Sequence, residues 1–93
     1  MIMSVAHAPV DVSEQANVFG AWSELIVGDR PTGLVDCYLL ETDGAVQIAA
    51  VWSSREDHDR AVEDESNHPA YAVFEASGID PTHSVFTIVG HLR

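Results

Sequence analysis

His68 is the side chain in this sequence best suited to moving a proton. It precedes Pro69 at a point where an acidic helical segment is interrupted. An imidazole titrates near neutrality and can therefore accept or donate a proton at physiological pH. Because proline disfavours helix before it but suits the first position of a new helix, the alternative is that His68 or Asn67 simply caps that helix.

A metal site is the second chemistry that the spacing suggests. Glu65 and His68 have the Glu-x-x-His spacing that places two ligands on one helix face. A dicarboxylate site needs further carboxylate and histidine pairs from other helices, which this chain lacks, and Pro69 disturbs the helical geometry. We therefore expect no metal and no other cofactor. Cys37 has no basic neighbour to lower the pKa of its thiol, so it is not expected to be a nucleophile.

The remaining histidines are expected to be structural or exposed. His58 lies between two aspartates on the acidic helix, which indicates a solvated surface position. His7, His83 and His91 lie at or beside the outer ends of expected strands. His7 and His91 could approach each other if the first and last strands pair.

The elements that must position these side chains follow in the order β-α-β-β-α-β. Asp11 and Glu14 have the spacing of a capping box at the start of an amphipathic helix, and Asp43-Gly44 between apolar runs predicts a hairpin. The expected segments are a strand at 2–8, a helix from 12 that stops at Gly28, strands at 34–41 and 46–52, a helix from Ser53 or Ser54 through Glu65, a helical piece from Pro69 to Ser77, and a strand at 83–92.

This order predicts an α+β, ferredoxin-like βαββαβ fold in a single domain, 1–93. Two βα units around a central hairpin give a four-stranded antiparallel sheet with two helices on one face. Both sheet faces are expected to be largely apolar: in the third strand, Val46 and Ile48 point one way, while Ala49 and Val51 point the other. Since the helices cover only one face, we expect a homodimer whose two sheets pack together.

The charge balance narrows the class of partner. Fifteen acidic residues and four basic ones give a formal net charge of −11. Clustered Lys and Arg are needed to bind phosphates, so no nucleic-acid partner is expected, and a small neutral aromatic or hydrophobic ligand fits better. The chain has no 20-residue apolar run and no basic, apolar leader, so we expect no membrane contact and a cytoplasmic location.

Several pieces of the sequence, taken in order, resemble the antibiotic biosynthesis monooxygenase-like family of the dimeric α+β barrel superfamily. They are Pro31-Thr-Gly33, Tyr38-Leu-Leu40, the strand end Val51-Trp52-Ser53-Ser54, and the helix that breaks at His68-Pro69-Ala70-Tyr71 and continues to Phe74. The resemblance covers nearly the whole chain and implies a homodimer with a pocket between sheet and helices. Characterised members oxidise aromatic polyketides or quinols with O₂ without metal or flavin, and relatives degrade haem.

The resemblance also implies roles for individual side chains. Trp52 would line the pocket and hold a flat substrate, although core packing explains a tryptophan there equally well. His68 would take a proton from a phenolic or enolic substrate, because an electron-rich anion is what reacts with O₂. The remaining pocket residues would be aromatic: Tyr38, Trp22, Tyr71 and Phe74. Tyr38 and Trp22 fit ordinary core packing equally well.

The leading functional prediction is a cofactor-independent monooxygenase acting on a small aromatic, polyketide-like or quinol-like substrate. One alternative is a non-catalytic homodimer that binds a small hydrophobic ligand or serves a structural role. A second is a haem-degrading relative, which the net charge of −11 disfavours because a porphyrin carries two propionates.

Overall fold

The computed structural model describes residues 1–25, 28, 30–64 and 68–92. Its elements are β1 (Ile2–Pro9), α1 (Val12–Leu25), β2 (Leu34–Thr42), β3 (Ala45–Trp52), α2 (Arg55–Glu63), α3 (Pro69–Ser77) and β4 (Thr82–Thr87). The strands form one antiparallel sheet in the order β2-β3-β1-β4. The predicted α+β, ferredoxin-like fold is confirmed. Within the described ranges, no helix combines the length and apolarity needed to cross a membrane.

The helix starts follow from short polar side chains. The Asp11 carboxylate accepts the backbone N–H of Glu14 at 2.8 Å, and the Glu14 carboxylate accepts that of Asp11 at 3.1 Å, so the capping box is confirmed. Ser54 caps α2 by accepting the backbone N–H of Asp57 at 3.1 Å. The predicted continuation of the first helix through residues 26–27 lies outside the described residues.

The hairpin between β2 and β3 forms where Asp43-Gly44 predicts it, and Gly44 takes a positive φ of 73°. A bulge at the start of β2 interrupts the alternation of its side chains between the two sheet faces, because the register shifts between Leu34 and Asp36. Leu34 consequently shares a face, and packing, with Cys37 and Trp52 rather than with Tyr38.

The two faces of the sheet differ sharply in cover. The helices pack on the face that carries Ile48, Trp52 and Ser4. On the other face, hereafter the open face, Tyr38, Leu40 and Phe86 expose 50%, 45% and 54% of their surface.

The last strand is shorter than predicted. β4 ends at Thr87. The amide of the next residue, Ile88, still donates a hydrogen bond to the Met1 carbonyl at 3.0 Å. Beyond it, Val89 and Leu92 are 94% and 96% exposed. The expected approach of His7 to His91 is wrong. The strands are antiparallel, so His7 pairs with Thr82 at one end of β4, while His91 lies beyond the other end.

Candidate functional site

Three histidines from three different elements meet under the helices. His58 comes from α2, His68 is the cap residue immediately before α3, and His83 comes from β4. Their ring centroids lie 5.3 to 6.0 Å apart, and ligand-capable atoms of the three rings lie within 4.8 Å of one another. We call this group the histidine cluster.

Two aromatic rings enclose the histidine cluster. The Trp52 ring centroid lies 5.8 Å from that of His58 and 5.5 Å from that of His68. The Tyr71 ring lies 4.6 Å from His68 and 5.3 Å from His83. Aromatic rings therefore form much of the surroundings of the cluster.

Local structure explains why these side chains converge. His58 precedes buried Ala61 by three residues and so lies on the inward face of α2. His83 pairs with buried Ala6 of β1, so its side chain points toward the helices. The side chain of Val85, two residues later, points the same way. His68 takes an extended backbone immediately before Pro69, with φ −84° and ψ 117°, at the point where α3 begins.

In His58 and in His83, one ring nitrogen has a hydrogen-bond partner. His58 Nδ1 lies 2.9 Å from Asp59 Oδ1, and His83 Nδ1 lies 3.0 Å from the Tyr71 hydroxyl. The other ring nitrogens, Nε2 of His58, Nε2 of His83 and both nitrogens of His68, are buried without a hydrogen-bond partner among the described residues. Unpartnered buried polar atoms are rare in folded proteins.

Burial keeps two members of the histidine cluster, His68 and His83, uncharged. The pKa of His68 is lowered to about 3, mainly because burial removes the hydration of its charged form and, to a smaller extent, because His83 and His58 repel that charge. Loss of hydration, followed by repulsion from His58, also lowers the pKa of His83. Both imidazoles are therefore neutral near pH 7.

A groove of about 550 Å³ opens beside the cluster. His83 of the cluster and its hydrogen-bonded partner Tyr71 form one part of the groove wall, and Phe74 forms another part. The rest of its lining is Glu75, Gly78, Ile79, Asp80 and Pro81. The groove thus presents a hydroxyl–imidazole pair together with apolar surface.

The predicted pair of Trp52 and His68 is adjacent but fully buried. Both side chains are 0% exposed, and Trp52 packs with Ile2, Ala50 and Ala61 while its Nε1–H donates to Ser4 Oγ at 3.1 Å. His68 lies one side chain deeper than the groove wall, behind Tyr71 and His83. The imidazole of His68 makes no capping hydrogen bond to α3, whereas Asn67 and Glu65 lie outside the described residues.

The other predicted pocket residues divide into two groups. Tyr71 and Phe74 line the groove. Tyr38 pairs with Ala49 on the open face, so its expected place beside Trp52 in one protomer is wrong, because adjacent strand positions point to opposite sides. Trp22 packs against the core under α1 and α3 rather than against Trp52.

Two members of the cluster escaped the sequence reasoning. His58 was expected to be solvated but is 4% exposed, because helical spacing to Ala61, not the flanking aspartates, decides its direction. His83 was placed only at a strand end. The alternation of His83 with Val85 was the signal for the inward direction of His83, but using that signal required knowing which face of the sheet the helices cover.

Cys37 agrees with the expectation that it is not a nucleophile, since burial raises the pKa of its thiol to about 11.

Comparison with known proteins identifies the fold. No protein-family model matches the sequence, and no curated protein matches it either. A candidate antibiotic biosynthesis monooxygenase from Deinococcus radiodurans superposes with a TM-score of 0.77 at 10% identity, over 100% of this chain and 97% of that one. SnoaB, a cofactor-independent oxygenase from Streptomyces nogalater, gives 0.67 at 21% identity, over 98% and 95%. A Mycobacterium tuberculosis protein gives 0.74 at 12% identity, over 99% and 98%.

The chain has the antibiotic biosynthesis monooxygenase-like fold. The resemblance seen in the sequence is thereby confirmed along the whole domain. At these identities the likeness establishes architecture, whereas activity has to be argued from the groove and the histidine cluster.

Proposed function

We propose that the protein is a monooxygenase that oxidises a small, weakly charged aromatic substrate with O₂ and without a cofactor. The observation that carries this proposal is the hydrogen-bonded pair of Tyr71 and His83 in the wall of an open, partly apolar groove. The fold shared with SnoaB, an oxygenase described as cofactor-independent, supports the same reaction class.

The pair provides a route for a substrate proton. A phenolic or enolic hydroxyl in the groove donates its proton to the Tyr71 oxygen as the Tyr71 hydroxyl proton passes to His83 Nδ1, 3.0 Å away. A neutral imidazole is the form that can accept it, and the lowered pKa of His83 keeps it neutral at pH 7. The substrate is left as an electron-rich anion.

The anion then supplies the electrons for O₂. In a substrate that enolises, such as an anthrone, a CH₂ group becomes a carbonyl, one oxygen atom enters the substrate, and the other leaves as water with the two hydrogens of that CH₂ group. The electrons come from the broken C–H bonds, so the balance needs no separate reductant. The side chains contribute proton transfer and positioning.

His68 has a supporting role in this proposal. Its ring lies 5.3 Å from that of His83 and 4.6 Å from that of Tyr71, and it has no exposed surface. It therefore holds the proton-accepting pair in place from behind. Trp52, at 5.5 Å, packs behind His68 in turn.

A second copy of the chain covers the open face in the proposed functional form. That face exposes Tyr38, Leu40 and Phe86. Of the strand residues that point to it, Asp36 alone is an aspartate, glutamate, lysine or arginine. In a chain of net charge −11, a patch so poor in charge is where two copies can approach with least repulsion. Light scattering at micromolar concentration should give twice the 10.1 kDa chain mass, and a single-chain mass would contradict the dimer.

Oxygen uptake tests the catalytic proposal. The wild-type protein, assayed in chelator with anthrones, naphthols and quinols, should consume O₂ with at least one of them. Tyr71→Phe keeps the ring but removes the hydroxyl, and His83→Gln removes the acceptor. Each should lower kcat by about 100-fold or more while changing KM little. His91→Gln, a matched change at an exposed position beyond the end of β4, should leave the rate unchanged.

Two results would count against the proposal. If no substrate on the panel is consumed, the catalytic role fails and a non-catalytic ligand-binding dimer becomes the better account. If Tyr71→Phe turns over as fast as the wild type, the proton route through the pair is wrong.

A further inference from the structure

The buried nitrogens of the histidine cluster are arranged as metal ligands. Ligand-capable atoms of His58, His68 and His83, one from each ring, lie within 4.8 Å of one another, and His58 and His68 are 4% and 0% exposed. In a tetrahedral zinc site with Zn–N bonds of 2.0–2.1 Å, ligand nitrogens lie about 3.3 Å apart. Side-chain movements of up to about 1.5 Å would bring the three nitrogens to that spacing.

The hydrogen bond of His58 leaves its other nitrogen ready to coordinate. His58 Nδ1 lies 2.9 Å from Asp59 Oδ1, and a carboxylate can only accept a hydrogen bond. In the neutral form of the His58 imidazole the proton therefore lies on Nδ1, and the buried Nε2 keeps its lone pair. A carboxylate behind a histidine is the usual orienting partner of a metal ligand.

His83 can be set up in the same way by Tyr71. When His83 Nδ1–H donates to the Tyr71 oxygen, Nε2 carries the lone pair. His68 has both ring nitrogens unpartnered among the described residues, so either tautomer offers a lone pair. Each histidine then contributes one neutral nitrogen.

We propose that His58, His68 and His83 bind one divalent first-row transition-metal ion per protomer. Three imidazoles suit zinc, copper, nickel, cobalt or iron rather than magnesium or calcium, which prefer oxygen ligands. Coordination would give partners to three of the buried nitrogens that now lack them. The chain's net charge of −11 raises the local concentration of cations.

The ion and the proposed proton route use opposite tautomers of His83. Proton acceptance requires Nδ1 to be free of hydrogen, whereas coordination through Nε2 requires Nδ1 to carry it. A bound ion should therefore stop oxygen uptake. The binding proposal does not rest on the catalytic one, because binding is measured without substrate.

Direct binding measurements test the proposal on the tag-free, chelator-stripped full chain. Calorimetry with Zn²⁺ should give one ion per protomer. His58→Gln and His83→Gln should each weaken binding by more than about 100-fold, and Asp59→Asn by about 10-fold. His91→Gln and Arg55→Gln are the controls: His91 is an exposed histidine beyond the end of β4, and Arg55 is the other partner of Asp59 at 3.4 Å. Both should bind within about twofold of the wild type.

A second readout leaves the ligands intact. Trp22→Phe makes Trp52 the one tryptophan of the chain, with its ring 5.5 Å from that of His68. Co²⁺ should quench its fluorescence and saturate at one ion per protomer. Absence of saturable Zn²⁺ and Co²⁺ binding, or binding that His58→Gln and His83→Gln leave at wild-type strength in a folded protein, would overturn the proposal whatever the oxygen assay shows.

Discussion

Replacing His68 by leucine should stabilise the metal-free protein. The imidazole is 0% exposed, and both of its nitrogens lack hydrogen-bond partners among the described residues. Each buried donor or acceptor without a partner costs about 1–3 kcal/mol, so the two ring nitrogens cost about 2–6 kcal/mol, which a leucine of similar volume avoids. Against this, the leucine loses ring contacts with Tyr71 at 4.6 Å and Trp52 at 5.5 Å, each worth about 0.5–1.5 kcal/mol, or about 1–3 kcal/mol together. The expected net gain is about 1–3 kcal/mol in the free energy of unfolding at pH 7.5.

The same substitution should flatten the acid limb of stability. The folded-state pKa of His68, about 3, lies below the unfolded value near 6.5, so the unfolded chain binds the proton first. Stability from this group is complete above pH 6.5 and is lost as the pH falls toward 3. By pH 5 the loss is roughly 2 kcal/mol in the wild type and absent in His68→Leu, while the contribution of His83 is common to both proteins.

Urea unfolding in EDTA, at one fixed protein concentration, measures both effects. Curves at pH 7.5 and pH 5 for the wild type and His68→Leu give the four free energies needed. His58→Leu is the matched control, because it also removes a buried imidazole but breaks the hydrogen bond to Asp59. The reasoning is refuted if His68→Leu is less stable than the wild type by 1 kcal/mol or more. An equal loss of stability between pH 7.5 and pH 5 in the two proteins would also refute it.

Three further predictions concern the core, the open face and a helix start. Trp52→Phe should cost about 2–3 kcal/mol by leaving Ser4 unpaired beside a cavity, and adding Ser4→Ala should recover about 1 kcal/mol in a double-mutant cycle followed by urea unfolding. Phe86→Lys should convert the proposed dimer into folded monomer in light scattering, whereas Val12→Lys, at an 83% exposed position on α1, should not. Ser54→Ala should lower the free energy of unfolding by about 1 kcal/mol, and Ser54→Gly by only a few tenths; equal losses would argue against the side-chain cap.

Local signals carried most of the fold prediction. The Asp11 and Glu14 capping box, the Asp43-Gly44 hairpin and the His68-Pro69 break all act through neighbouring residues, and the structure places each element boundary within a few residues of them. The exception was β4, where an apolar run continues past the last paired residue, Thr87. Pairing with β1 sets the end of β4, and no local residue signals it.

The site was less accessible to sequence reasoning. His68 and Tyr71 are close in sequence and were selected together, but the imidazole that pairs with the Tyr71 hydroxyl in the groove wall is that of His83, on a distant strand. His58 looked like a surface residue because its neighbours are charged, although its helical direction makes it a core residue. Tyr38 was misplaced because the bulge between Leu34 and Asp36 and the covered face of the sheet were not known.

The amino-acid sequence determined the order of elements, their caps and turns, and the net acidic charge, because these depend on neighbouring residues and on composition. Convergence of His58, His68 and His83 into one buried group depends on strand register and on which sheet face the helices cover. Those are relations between segments distant along the chain, and packing decides them. The chemistry open to His68, which was first selected for its position at a helix break, therefore depends on His58 and His83, and the tertiary structure places these two beside it.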